Sequence, residues 1–130
     1  MPQVSQRLVL LVDDYEDGAD MYAEYLLFYG YQVLIARTGQ EAVDLARSAR
    51  PALILMNLEM PIISGLNAMR LIRSDESLNQ TRIVALTAHA LDKERNDAIR
   101  DGFDDYIAKP CLPDTLMAAI EHLLTTERQI

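Results

Sequence analysis

Five short apolar runs, each followed by a helix-like stretch, constrain this chain more than any other feature. "RLVLLV" (7–12), "YQVLIA" (31–36), "ALILM" (52–56), "RIVALT" (82–87) and "DYIAK" (105–109) are strand-length and mostly rich in branched residues. The first, third and fourth are nearly continuous in apolar residues, the pattern of strands covered on both faces. Helical periodicity fills the gaps. Residues 17–29 place Ala19, Tyr22, Ala23, Leu26 and Tyr29 on one stripe, with Gly30 as the stop. Thr38 and Glu41 form a capping box for a helix with Ala42, Leu45, Ala46 and Ala49 inward, ended by Pro51. Leu66, Met69 and Ile72 align over 65–74. The stretch 90–101 is more polar, anchored by Ala98 and Ile99 and followed by Gly102. Pro113 opens a last helix whose inward stripe is Leu116, Ala119, Ile120, Leu123 and Leu124. Five β-α units joined by right-handed crossovers give an α/β fold, a doubly wound open sheet with helices on both faces.

Composition narrows the function classes. A length of 130 residues fits a single domain with one core. A net charge of −8 argues against a nucleic-acid surface and favours a metal ion or a basic partner, surface acidity for solubility being the plainer reading. No apolar run approaches the ~20 residues of a membrane helix, and the polar start "MPQVSQR" is no signal peptide. A lone cysteine, Cys111, excludes an internal disulfide and fits a reducing, cytoplasmic location. His89 and His122 lack ligand spacing, so zinc is not expected. Met56, Met60 and Met69 read as core filler.

In doubly wound sheets the functional crevice lies beyond the carboxyl ends of the strands. The first strand ends in Asp13 and Asp14, the third in Asn57, the fourth in Thr87 and the fifth in Lys109, followed by Pro110. Adjacent carboxylates repel by roughly 3 kcal/mol at ~5 Å and an effective dielectric of ~20. A hard divalent cation such as Mg²⁺ relieves that repulsion. Lys109 offers a cation to an anionic group and Thr87 a hydroxyl. Together these groups describe a phosphoryl pocket. Each also has a plain structural reading. Asp13-Asp14 can cap a helix, Thr87 can simply end a strand, Lys109 can be solvated, Asn57 can hold a turn, and Pro110 can punctuate a loop. Four polar groups at four strand ends favour the functional reading.

The motifs "LVDDYED", "LILMNLEMPIISG", "IVALTAHA" and "GFDDYIAKP" make the chain resemble the receiver domain of bacterial two-component response regulators. The likeness covers about residues 7–126, so 1–130 reads as a single receiver domain. It implies the flavodoxin-like strand order 2-1-3-4-5. It implies that Asp13 and Asp14 hold Mg²⁺, with a further oxygen from the Glu59 backbone and a ligand from position 57. Thr87 matches the hydroxyl that turns toward the phosphoryl group, and Tyr106 the aromatic that swings inward with it. Lys109 matches the lysine that pairs with the phosphoryl group, its bond to Pro110 being cis in the family.

The family's phosphoryl acceptor is an aspartate, and here that position is Asn57. A carboxamide nitrogen is no nucleophile toward phosphohistidine, so no acyl phosphate is expected. The pocket loses one of three anionic ligands, Mg²⁺ binding should weaken, and the domain should rest near the family's inactive arrangement. Either a natural pseudo-receiver signals by constitutive binding, or an aspartate was replaced to block phosphorylation. The otherwise intact pocket favours replacement. The resemblance implies a histidine kinase or histidine phosphotransfer protein docking near the first helix. It also implies a downstream protein partner on the 90–126 face, and the chain is expected to be a monomer or weak dimer. A metal-dependent phosphatase would need its carboxylate nucleophile where Asn57 stands, and a flavin protein a phosphate-wrapping loop in place of the acidic "DDYED". The expectation is a signalling and binding domain, not an enzyme.

Overall fold

The structure, a computed structural model, describes residues 7–88, 91–126 and 128. Strands β1 (Leu8–Val12), β2 (Gln32–Ala36), β3 (Leu53–Asn57), β4 (Arg82–Thr87) and β5 (Asp105–Ala108) alternate with helices α1 (Glu16–Phe28), α2 (Gly39–Ala49), α3 (Gly65–Arg73), α4 (Asp92–Asp101) and α5 (Pro113–Leu124). A 3₁₀ turn, Glu76–Leu78, precedes β4. All four strand pairings are parallel and the sheet order is β2-β1-β3-β4-β5.

Alternation along the strands divides the core into two layers. Val9, Leu11, Leu53, Leu55, Val84 and Leu86 pack against α1 and α5 through Ala19, Tyr22, Leu26, Leu116 and Ile120. Leu10, Val12, Ile54, Met56, Ile83 and Ala85 face the other way, onto Ala42, Ala46, Met69, Ile72 and Ala98 of α2, α3 and α4. Residues of β3 and β4 are buried along their full length, as strands with helices on both faces require.

Helix ends follow local chemistry. The Thr38 hydroxyl accepts the Glu41 N–H at 3.0 Å. Glu41 reaches back one residue further than a capping box would, accepting the Arg37 N–H at 2.6 Å. Ser64 caps α3 through the Asn67 N–H, and Gly102 takes φ 139° to end α4. Some inward expectations shift. Tyr29 lies past the end of α1 and is 43% exposed, because the chain turns there at Gly30. On α5 it is Met117, not Ala119, that is fully in the core. On α4 Ala98 is buried but Ile99 is 40% exposed, so this helix has one anchor instead of two.

At the base of the sheet a single carboxylate holds three guanidinium groups. Asp104 accepts from Arg73 at 2.7 Å, Arg128 at 3.0 Å, Arg82 at 3.2 Å and the Ile83 N–H at 2.8 Å. Arg73 also donates to the carbonyls of Thr81 and Gly102. Burial pushes the Arg73 guanidinium down to about 10, with Asp104 pulling against the fall. The cluster ties α3, β4, β5 and the segment after α5 together.

Removing the carboxylate leaves buried cations unpaired. Asp104→Ala should cost about 3–5 kcal/mol, read as a drop in urea midpoint; a loss below about 1 kcal/mol would show that the cluster is solvated and inert. Elsewhere, Ile62 is fully exposed with φ 66°, a strained conformation for a β-branched residue. Ile62→Asn, which tolerates that region, should raise stability by about 1 kcal/mol in the same assay.

Candidate functional site

The parallel register brings the strand ends side by side. Val12 pairs with Met56, Asn57 with Leu86, and Thr87 with Ala108. Asp13 follows β1, its N–H still bonded to Ala36 O at 3.0 Å, and the Lys109 N–H bonds Thr87 O at 2.8 Å. Strand alternation then decides which way each side chain points. Asp13, Asn57 and Lys109 continue the series that faces α1 and α5, while Thr87 and Tyr106 continue the opposite one. Gly65 lets α3 start close beneath the end of β3. A Cβ there would lie 2.3 Å from Asn57 O. The Lys109–Pro110 peptide bond is cis. The cleft so formed, about 430 Å³, is lined by Asp13, Asp14, Asn57, Glu59, Lys109 and Pro110 together with residues of α1.

Asn57 is buried at the centre. Its Oδ1 accepts from Lys109 Nζ at 2.9 Å. Its Nδ2 lies 3.3 Å from Asp13 Oδ1, 3.3 Å from Asp14 Oδ1 and 3.1 Å from Glu59 O. Lysine has no acceptor, so the amide oxygen must face it and the NH₂ must face the acids. Three oxygens thus converge on one point, and a carboxamide nitrogen occupies it. The oxygen set suits a hard cation. Among the described residues no cluster of three or more His, Cys, Asp or Glu side chains is placed to hold a metal. Burial pushes the Asp13 carboxyl up, the Tyr15 N–H and Lys109 pull it down, and Asp14 adds to the rise.

The Glu59 side chain completes the pocket. Its carboxylate accepts the Thr87 hydroxyl and, at 3.3 Å, the Ala88 N–H, and it lies 3.8 Å from Lys109 Nζ. Thr87 is 1% exposed, and its hydroxyl lies beside the Tyr106 phenol. The Tyr106 ring is inward, 5% exposed; burial raises its phenol, Thr87 lowers it, and Glu94 and Glu59 raise it. The expected arrangement was the family's inactive one; here Tyr106 is buried and a carboxylate from the neighbouring loop accepts from Thr87.

Every strand-end residue singled out in the sequence therefore lines or adjoins one cleft. Sequence reading assigned Glu59 only a backbone role and missed its side chain. The available signal was an acid two residues beyond Asn57, on the same side of an extended chain. Arg37, whose charge acts on Asp13, was also missed. His122 is exposed on α5, Met56 and Met69 are core residues, and Met60 is packed at its margin. His89 lies outside the described residues. No helix among them is long and apolar enough to cross a membrane.

A five-stranded parallel sheet with two acids, an amide, a hydroxyl and a lysine at adjacent strand ends is a doubly wound fold with its polar cleft beyond the carboxyl ends of the strands. The response regulator receiver domain model matches residues 9–121, and the chain belongs to that family of two-component receivers. It is 34% identical over 102 residues to the polar-differentiation response regulator DivK of Brucella anthropi, covering 78% of this chain and 83% of that one. Among solved structures, the Vibrio cholerae chemotaxis protein CheY4 is similar at a TM-score of 0.85 and 27% identity, covering 91% and 98% of the two chains. The receiver domain of a Pseudomonas aeruginosa sensor histidine kinase is similar at a TM-score of 0.85 and 32% identity, covering 92% and 98%. That domain carries a magnesium ion coordinated in its active site cleft.

The raised Asp13 carboxyl yields a stability prediction. A carboxyl whose folded value is raised costs stability while ionised, and the cost fades as pH falls through the carboxylate range. Asp13→Asn keeps an oxygen for the Tyr15 N–H and should stabilise the fold at pH 7 by about 1 kcal/mol. That gain should shrink in melts taken toward pH 4; a gain independent of pH would contradict the cause given.

Proposed function

We propose that Asn57 stands at the phosphoacceptor position of this receiver, so that the chain does not take up a phosphoryl group and acts by binding proteins, not as an enzyme. One observation carries the reading. The atom facing Lys109 across the pocket belongs to a carboxamide, whose nitrogen is bonded to the acids and whose oxygen is bonded to the lysine. Neither atom is a nucleophile toward a phosphoryl donor.

The same amide bears on metal binding. Asp13, Asp14 and the Glu59 carbonyl would hold Mg²⁺, with Asn57 adding an oxygen only by turning its NH₂ toward the Lys109 ammonium. When bound, the ion supplies positive charge for the acids and for phosphoryl oxygens. Turning the amide sets donor against donor, so Mg²⁺ affinity falls below that of a carboxylate at position 57.

Family membership supports a histidine kinase or histidine phosphotransfer protein as the partner near α1. A downstream protein is read on the face of α4, β5 and α5. Its support is the weak seating of α4, buried only at Ala98, and the exposure of Leu91, Ile99 and Leu112 at 67%, 40% and 73%. Arg95 ties α4 to the Tyr106 carbonyl at 2.7 Å, linking that face to the pocket. Of the two origins, the intact acids, Thr87, Tyr106 and Lys109 support a replaced aspartate. The Glu59 contacts, which hold Thr87 without any phosphoryl group, support a natural pseudo-receiver.

Incubation with Mg²⁺ and acetyl phosphate tests the reading by intact mass. Asn57→Asp should gain one phosphoryl group and the parent none. A phosphorylated parent, or an inert Asp variant, would overturn it.

A further inference from the structure

We propose that the Glu59 carboxylate is a resident anion in the phosphoryl position, holding Thr87 and Tyr106 in the inward arrangement without phosphorylation. The proposal rests on the reading of this cleft as a phosphoryl-type pocket. Two donors and a cation from two strand ends converge on that one carboxylate: the Thr87 hydroxyl, the Ala88 backbone N–H and, as an ion pair at 3.8 Å, the Lys109 ammonium. A hydroxyl, an amide N–H and an ammonium aimed at one point form a tetrahedral-anion cradle, and a carboxylate satisfies the same donors. Covalent attachment of Glu59 to the chain gives it a high effective concentration there. The adjacent amide of Asn57 assists, because a carboxylate at that position would repel Glu59 across the width of the pocket.

The consequence runs outward through Thr87. Its hydroxyl bonds Glu59 and lies beside the buried Tyr106 phenol, and the Tyr106 carbonyl accepts from Arg95 of α4. Glu59 is therefore a positioning residue for the α4–β5 face. The cradle is an anion site that opens to inorganic phosphate only when Glu59 leaves it.

The test compares the parent with Glu59→Ala in ¹⁵N amide spectra and in tyrosine nitration mapped by mass spectrometry. Glu59 is a loop residue 39% exposed, so the core survives its truncation. In the variant the Thr87 and Ala88 amides should shift and those of α4 follow. Tyr106, 5% exposed in the parent, should become nitrated at a rate approaching that of Tyr15, which is 64% exposed. Inorganic phosphate should reverse the shifts at 87 and 88 in the variant and leave the parent unchanged. Unmoved signals at 87, 88 and 106, or a variant indifferent to phosphate, would overturn the assignment. Phosphoryl uptake by Asn57→Asp alongside such a failure removes only the Glu59 assignment, whereas absence of that uptake removes the phosphoryl-pocket reading on which it rests.

Discussion

The carboxamide of Asn57 reconciles two halves of a pocket that carry opposite charge. On one side stand Asp13 and Asp14, on the other Lys109, and the amide presents a donor to the first and an acceptor to the second. A carboxylate there could satisfy only the lysine and would need a cation to face the acids. The neutral amide does both jobs with one side chain at hydrogen-bond distance. Each such bond contributes little net, about 0.5–1.5 kcal/mol, but an unpaired buried acid would cost more. The pocket is thereby complete without any exogenous group, and the rest of the domain can settle around it.

The two ends of the sheet solve charge burial differently. At the carboxyl ends an amide and a lysine disperse an acidic pair. At the amino ends one carboxylate, Asp104, gathers Arg73, Arg82 and Arg128. Between them both core layers are almost wholly aliphatic, and each buried Leu or Ile contributes about 1.5–3 kcal/mol as an upper figure. Polar chemistry is thus confined to the rims. The lower rim is cross-braced by arginines, while near the upper one α4 is seated on Ala98 alone.

Much of this was legible in the chain. Continuous apolar runs gave the strands to within a residue, and the polar residues at their ends named the cleft. The strand order needed the family resemblance, because alternation alone leaves several windings open. Two kinds of feature stayed out of reach. Ile99 follows the apolar period yet faces water, since α4 makes too little contact with the sheet for periodicity to fix its rotation. The Glu59 carboxylate reaches across to β4, 28 residues away in sequence, and no local pattern records a side chain crossing a pocket. Asp104 likewise reads as an ordinary turn acid until three distant arginines are brought to it.

Asn57 also bears on chemical ageing. Asparagine loses ammonia when the following backbone nitrogen attacks its side-chain carbonyl, and water then opens the cyclic imide to isoaspartate or aspartate, the second of which would install the missing carboxylate here. The nitrogen concerned belongs to Leu58, whose N–H is fixed to Leu86 O at 3.0 Å. Ring closure requires that nitrogen to leave its partner and a buried β3 terminus to bend. The ladder that positions Asn57 thus also opposes its deamidation in the folded protein.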